Sequence, residues 1–432
     1  MSAEQNLPSK IDLDTDLVWK RQVPAGVSSP IVVDFRVVLT GADGEELVVV
    51  CVDAKTGRQL WKRVAPRSRR EIFNPRHGPA TPTPVSDGEA IYAFFPDFGL
   101  LAYSLDGDEL WRRELDSFSS VQGMASSPVY SDGKLALLVD QTVGAYLAVF
   151  DAKTGRELWR KERPTNFLGS YATPVIYEPD DGPVQIIAAG SVELASYQLS
   201  TGEVLWRNPG WLAPAGSPSV ADGVVYASEP MMKEAPPFSA MKPFDTDGDG
   251  ALSREEAGGE GGLVFLIDRL DIDHGDGDGK AEADEWAAAF STVEGNGGLR
   301  ALKLDGSGAQ VWRRDPSVPA QSSVLVYEGL VYAVNQSAVL TVLDAVSGEE
   351  VKQGRLRDAL GDYSASPVAG DGKVYFASME GKISIVEAGR DWSVVSTVDL
   401  GERIQATPAL ADGSVFVRSD MTLWRLGRKP AQ

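Results

Sequence analysis

Residues 125–162 read ASSPVYSDGKLALLVDQTVGAYLAVFDAKTGRELWRKE. The stretch divides into four short strands. Ser127-Pro128-Val129-Tyr130 forms the first. Asp132-Gly133 is a turn dipeptide, because Asp and Gly tolerate positive φ in a two-residue hairpin. Lys134 to Val139 and Tyr146 to Phe150 are the second and third strands. Ala152-Lys153-Thr154-Gly155 then turns the chain into a fourth, which starts Glu157-Leu158-Trp159-Arg160. A four-stranded sheet of this size buries too little apolar surface to stand alone. It therefore predicts copies of itself elsewhere in the chain.

The copies are present. The first runs from Ser28-Ser29-Pro30, through Cys51-Val52-Asp53-Ala54-Lys55-Thr56-Gly57, to Leu60-Trp61-Lys62. The second runs from Thr81-Pro82 to Leu110-Trp111-Arg112, and the opening stretch is the third. The fourth runs from Thr173-Pro174 to Leu205-Trp206-Arg207, and the fifth from Ser217-Pro218 to Val311-Trp312-Arg313. The sixth, Ser322 to Arg355, carries Lys352 in the Trp place, and the seventh runs from Ser366-Pro367 to Ser393-Val394-Val395. The eighth begins at Thr407-Pro408 and stops after Leu423-Trp424-Arg425, one strand short. Leu17-Val18-Trp19-Lys20-Arg21 has the missing strand's ending.

Trp61, Trp111, Trp159 and Trp206 lie 50, 48 and 47 residues apart. That period, with four strands per unit, predicts an all-β fold: an eight-bladed β-propeller of four-stranded antiparallel blades. The N-terminal strand closes blade eight and removes the exposed sheet edges. Residues 1 to about 10 are expected to form a loose tail. The recurring Trp reads as a wedge between neighbouring sheets, its indole N–H on a backbone carbonyl, and not as a ligand-stacking series.

The pattern S/T-P-V, D-G, A-L-D-A-x-T-G, x-L-W-R/K resembles the pyrroloquinoline-quinone-like propeller repeat, and DAKTGRELW (residues 151–159) is its most specific match. The resemblance covers nearly the whole chain outside one insertion. It implies kinship with quinoprotein alcohol dehydrogenases and with the outer-membrane assembly propeller lipoprotein. Those relatives work outside the cytoplasm, so the resemblance implies a periplasmic or secreted protein. Met1 to Asn6 has neither a basic segment nor an apolar one, and the expectation is that a signal peptide has been removed. The quinoproteins typically hold their quinone over a vicinal disulfide, with calcium and a catalytic Asp beside it. Cys51 is the only cysteine here, so that disulfide cannot form.

Composition narrows the partners. The 432 residues carry a net charge of −21, which argues against nucleic acid and against anionic lipid. No run of 18 apolar residues occurs, so no membrane span is expected. A closed ring is expected to be a monomer.

The fifth copy is interrupted between its second and third strands. The chain therefore divides into 11–230 (propeller blades 1 to 5, first part), 231–296 (insertion) and 297–428 (the rest of blade 5, and blades 6 to 8). Asp245-Thr246-Asp247-Gly248-Asp249-Gly250-Ala251-Leu252-Ser253-Arg254-Glu255-Glu256 fits an EF-hand loop. Asp245, Asp247 and Asp249 take places 1, 3 and 5, Gly250 turns at place 6, and the Ala251 carbonyl serves place 7. Ser253 stands at place 9, and Glu256 is the bidentate ligand at place 12. Calcium takes six to eight oxygens, and this spacing wraps them round one point. A second loop has Asp276, Asp278, Lys280 (by its carbonyl) and Glu285 at places 3, 5, 7 and 12. His274 falls at place 1, a poor calcium ligand, so Asp273, or alternatively Asp271, is expected to substitute in a longer loop. Leu263 to Leu270 and Ala283 to Phe290 read as flanking helices, with Phe265, Ile267, Leu270, Trp286 and Phe290 as a small core. The run Gly258–Gly262 keeps the first of these short. Residues 231–296 hold 16 acids against 5 bases, so folding of the insert is expected to depend on Ca2+.

Strands alternate in direction, so second-to-third-strand loops share a face with the interblade crossings. The insert therefore shares a face with the crossing at 65–80. Residues 58–76 hold seven bases against Glu71. Two readings follow: a solvated loop or a strip that pairs with the acidic insert, or a rim that recognises an anion. Arg67, Arg69, Arg70, Arg76, His77, Asp97 and Asp140 are the candidate rim residues, with His77 and Asp97 or Asp140 as a candidate acid–base pair. The functional expectation is an extracytoplasmic calcium-binding scaffold for a protein or a small anionic ligand. The alternative is a quinoprotein-like oxidoreductase, or another enzyme using the Arg and His77 rim.

Overall fold

The structure is a computed structural model of the chain. It describes all residues except 1–3, 72, 74–77, 121, 166–168, 212–213, 230–236, 258–260, 291–296, 315–318, 320 and 429–432, and the side chains of 261–263, 265, 269 and 273 also lie outside the description. The described strands form eight four-stranded antiparallel sheets and one two-residue pair. In blade three the strands are Val129–Ser131, Lys134–Val139, Tyr146–Asp151 and Glu157–Glu162. Leu135–Val139 and Tyr146–Phe150 are buried on both faces, because the neighbouring blades cover both. The Asp132-Gly133 turn has φ of 48° and 70°, the two positive values a type I′ hairpin requires.

Blade eight closes as the sequence predicts. Its outermost strand is Leu17–Gln22, paired with Thr422–Gly427. A second closure runs round the axis. The Ser29 N–H donates to Thr83 Oγ1 at 2.9 Å, Thr83 to Ser127 at 2.9 Å, and Ser127 to Thr173 at 3.0 Å. Thr173 donates to Ser217 at 3.0 Å, Ser217 to Ser323 at 2.9 Å, and Ser323 to Ser366 at 3.0 Å. Ser366 donates to Thr407 and Thr407 back to Ser29, both at 3.0 Å. Eight main-chain donors and eight hydroxyls thus form one cycle. In blade two the cycle selects Thr83-Pro84, and not the Thr81-Pro82 at which the sequence reading began that copy. Thr81 instead bonds Gly78 within the crossing.

The Trp wedge holds. The indole N–H groups of Trp19, Trp61, Trp111, Trp159 and Trp312 donate to carbonyls of Ala54, Leu105, Ala152, Leu199 and Ala345, each in the next blade's last turn. The ring rests on that turn's glycine: a Cβ on Gly155 would lie 2.5 Å from Trp111. At blade six the wedge reverses. Lys352 replaces Trp, and Trp392 from blade seven packs there instead, 5% exposed, with Lys352 Nζ 5.3 Å over its ring. At blade seven Ser396 takes the Trp place, paired with Ile385 beside the strand's bulge as Trp159 is with Val149. The next blade has no turn to seat a wedge, because its last two strands come from opposite ends of the chain.

Residues 4–11 are not a loose tail. Leu7 and Ile11 are buried in the core shared by blades seven and eight. The Leu7 N–H donates to Asp371, and Tyr375 Oη donates to the Pro8 carbonyl. The apolar pair explains the docking, and 1–3 lie outside the described residues.

Trp392 therefore does the work of a motif Trp from an off-motif position. Trp392→Ala and Trp61→Ala are each expected to cost about 3–5 kcal/mol, and Lys352→Ala under about 1 kcal/mol. Urea midpoints of the three variants test this; a Trp392→Ala midpoint equal to the parent's would remove the reversed wedge from the account.

Candidate metal centre

The insert leaves blade five after Val224–Glu229 and returns at Gly298–Lys303. It holds two helices, Gly261–His274 and Ala283–Phe290. The strand pair Leu252–Ser253 and Lys280–Ala281 joins its two loops. Leu252, Ala257, Ile267, Leu270, Ala281, Trp286 and Ala289 make its core, with Phe290 partly buried against it. Phe265's side chain lies outside the description. The first helix is longer than the expected Leu263–Leu270. Its apolar spacing at Ile267 and Leu270 carries the helix on to His274.

In loop 245–256, Asp245 accepts hydrogen bonds from the Gly248 and Gly250 N–H groups at 2.8 and 3.2 Å. Asp247 accepts from Asp249 N–H, and Asp249 from Ala251 N–H. Gly250 has φ of +88°, which favours glycine at the sharp turn. Oxygens of Asp245, Asp247 and Asp249 lie within 4.8 Å of one another. Glu256 reaches back across the loop and accepts from Thr246 N–H at 2.7 Å and Ser253 N–H at 2.9 Å. The Ser253 N–H and hydroxyl, then the Thr246 N–H, pull its carboxyl down to about 2. The Ala251 residue is buried, and Ser253 also donates its hydroxyl to Glu256.

In the second loop Asp271, the alternative to Asp273, does what Asp245 does in the first. Its carboxylate accepts from Gly277 N–H at 2.7 Å, Asp278 N–H at 3.0 Å and Gly279 N–H at 2.9 Å. Asp271 belongs to the last turn of the longer helix, beside Leu270. Asp273 lies in the same turn, its side chain outside the description. Asp271, Asp276 and Glu285 bring oxygens within 4.8 Å of one another. Asp271 is 5% and Glu285 6% exposed. Asp278 accepts from Lys280 N–H on the rim of this loop.

The candidate rim divides differently from expectation. Asp97 is fully buried, and Arg67 grips its Oδ2 with Nε at 2.8 Å and Nη2 at 2.7 Å. Arg69 is held by Glu71, by the Leu115 carbonyl and by the face of Phe118. Arg70 pairs with Glu45. Among the described residues these bases meet Asp97, Glu71 and Glu45, acids of the propeller. Arg76 and His77 lie outside the described residues, and with them the His77 acid–base pair. Asp97 and Asp140 sit on loops of different blades.

Asp140 has its own network. It is 1% exposed. Ser191 N–H donates to its Oδ2 at 2.8 Å, while Oδ1 accepts no hydrogen bond among the described residues. Burial pushes its carboxyl up to about 6, against the opposing pull of Arg163. Arg163 bonds Tyr197 Oη, and Glu193 pairs with Arg207 at 2.8 Å. Sequence reading missed this Arg163–Glu193–Arg207 group, because nothing in the spacing of 163, 193 and 207 joins them.

The family model described as outer membrane protein assembly factor BamB matches residues 10–139 and 48–235, together just over half of the chain. The chain belongs to that family. The BamB of Burkholderia pseudomallei (strain K96243) is 27% identical over 203 residues, 45% of this chain and 48% of that protein. A polyvinylalcohol dehydrogenase from a Pseudomonas species is 27% identical over 222 residues, 41% of this chain and 33% of that protein. The matches thus span about half or less of these relatives' lengths. Among solved structures, BamB from Moraxella catarrhalis superposes with a TM-score of 0.61 at 12% identity, over 96% of this chain and 99% of that one. The quinohemoprotein alcohol dehydrogenase of Comamonas testosteroni gives 0.64 at 11%, over 100% of this chain and 80% of that one. At such identities they establish the PQQ-like propeller fold and nothing more specific. The BamB-family match ends at residue 235, where the insert begins. No helix among the described residues is long and apolar enough to cross a membrane.

Asp140 gives the propeller a pH signature. Its folded pKa of about 6 lies above the ordinary 3.8. The stability it contributes is therefore complete below about pH 4 and lost as pH rises through about 6. Asp140→Asn is expected to remove that loss, on the order of 2 kcal/mol at pH 8. Denaturant midpoints from pH 4 to 8 test it; parallel curves for variant and parent would overturn the assignment.

Proposed function

We propose that this protein is an extracytoplasmic, calcium-binding propeller that serves as a protein-binding scaffold, its insert ordered by the cation. The observation that carries the reading is the convergence of Asp271, Asp276 and Glu285, two of them buried. Burying carboxylates together is costly unless a cation or hydrogen-bond donors answer them. The donor set fits calcium: carboxylates and main-chain carbonyls are hard oxygen ligands, with no thiolate and no inward histidine. Asp245, Asp247, Asp249, Ala251, Ser253 and Glu256 would hold one ion, and Asp271, Asp276, Asp278, Lys280 (by its carbonyl) and Glu285 a second. Bound calcium supplies positive charge to a segment whose own balance is 16 acids to 5 bases. The assembly-factor name of the relatives supports a protein partner and a place outside the cytoplasm.

The dehydrogenase relatives favour a second reading, a quinoprotein-like oxidoreductase. Against it stands Cys51, single and fully buried. Burial pushes its thiol up to about 12, so it does not supply the reactive thiolate of a redox site.

Calcium removal separates ordered from disordered insert. EGTA is expected to speed protease cleavage between residues 231 and 296 several-fold and leave the blades intact, with calcium restoring protection. Cleavage at one rate in both conditions would sink the calcium reading. Saturable quinone binding with dye-linked alcohol oxidation would establish the second reading in its place.

A further inference from the structure

We propose that Lys280 couples the two acidic loops: its ammonium holds Asp249 of the first loop until a divalent cation displaces it. This inference rests on the calcium reading above. Lys280 stands at place 7 of the second loop, within the short strand Lys280–Ala281. That strand pairs with Leu252–Ser253 of the first loop, and the register sets Lys280 opposite Ser253. From there Lys280 Nζ bonds Asp249 Oδ2. One residue thus offers its carbonyl position to one loop and its charge to the other.

The loops are consequently unequal. In the first, Asp249 is answered by Lys280, and both Glu256 oxygens accept hydrogen bonds from the loop itself. A cation entering there must break an ion pair and turn Glu256. In the second, the Glu285 carboxylate accepts one hydrogen bond among the described residues, from Glu282 N–H on Oε2. One of its oxygens lies within 4.8 Å of oxygens of Asp271 and Asp276, and Glu285 is only 6% exposed. The second loop, which looks the weaker by ligand spacing, is therefore the readier acceptor and fills first. The Lys280–Asp249 pair is about a third exposed on each side. Such a pair is worth about a two- to five-fold change in affinity, enough to set the filling order without closing the first loop.

Calcium titration calorimetry on the whole chain, after chelator treatment and exchange, tests the coupling. The parent is expected to show a tighter and a weaker site. Lys280→Met should tighten the weaker site about two- to five-fold and shift the tighter one less, while Lys280→Arg, which keeps the pair, stays near the parent. Arg254→Met is the control for charge alone, since Arg254 is a cation of the same insert that pairs with Asp268 and not with a loop ligand. Equal tightening by Lys280→Met and Arg254→Met, or none by Lys280→Met, overturns the coupling while leaving calcium binding intact. Absence of calcium binding in every variant overturns the calcium reading itself.

Discussion

Each blade gives one main-chain N–H to a hydroxyl of the next, and the eighth gives its own to Ser29 of the first. This cycle links all eight blades, and opening the ring at any junction leaves one donor unanswered. A buried N–H left without its acceptor costs about 1–3 kcal/mol. The Ser or Thr is the working part. Pro follows it in seven blades, holding the residue before it extended, yet Ser323 precedes Val324 and the cycle still passes through it. The Trp wedges act on the outer part of the same contacts. The hydroxyl cycle sets the spacing at the axis, and the indole rings set it near the rim.

Arg418 shows how strongly closure is specified. It is wholly buried, yet among the described residues its guanidinium meets no carboxylate at hydrogen-bond distance. It donates to the carbonyls of Pro24, Ser28 and Thr40 and to Ser28 Oγ. Burial pulls its pKa down to about 9. One side chain near the C-terminus thus ties three early segments, and Gly26 leaves room for it: a Cβ there would lie 2.7 Å from Arg418. The docked segment 4–11 covers the neighbouring junction, between blades seven and eight, which explains why a stretch that reads as a tail is folded.

Most of the propeller was legible because its physics repeats. Strand alternation, Asp-Gly turns and the Trp period each recur often enough for one weak copy to be read from its neighbours. Legibility failed where the answer is a choice between registers or partners. Thr81-Pro82-Thr83-Pro84 offers two starts, and only the hydroxyl cycle chooses. Lys352 marks a lost wedge, but nothing near it says that Trp392, 40 residues later, replaces the ring. In the insert, place-counting finds the carboxylate cluster of the first loop but puts His274 where Asp271 stands in the second. Counting assumes that the helix stops where the loop starts, and here the helix runs on and brings Asp271 with it. Charge counting likewise found the basic strip but not its partners, since Arg67 and Asp97 meet only through the strand alternation of two blades.

Those partners bear on what the loop face can do. Buried or half-buried ion pairs recur across it: Arg67 with Asp97, Arg207 with Glu193, and Arg300 with Glu229 at 2.6 Å. Arg300 also lies 4.3 Å over the Trp211 ring. Such pairs add little net stability, because desolvation offsets attraction. What they add is geometry: each fixes a loop or crossing that apolar packing alone would leave free to slide. Arg67, Arg207 and Arg300 are thus already answered by acids, and this weighs against reading them as an open anion site. The insert has the opposite character: it rises from that face in blade five, rich in acids, with a core of a few side chains. On the proposed reading, recognition falls to the part whose order depends on a cation, and the propeller's task is to hold that part at a fixed height and angle.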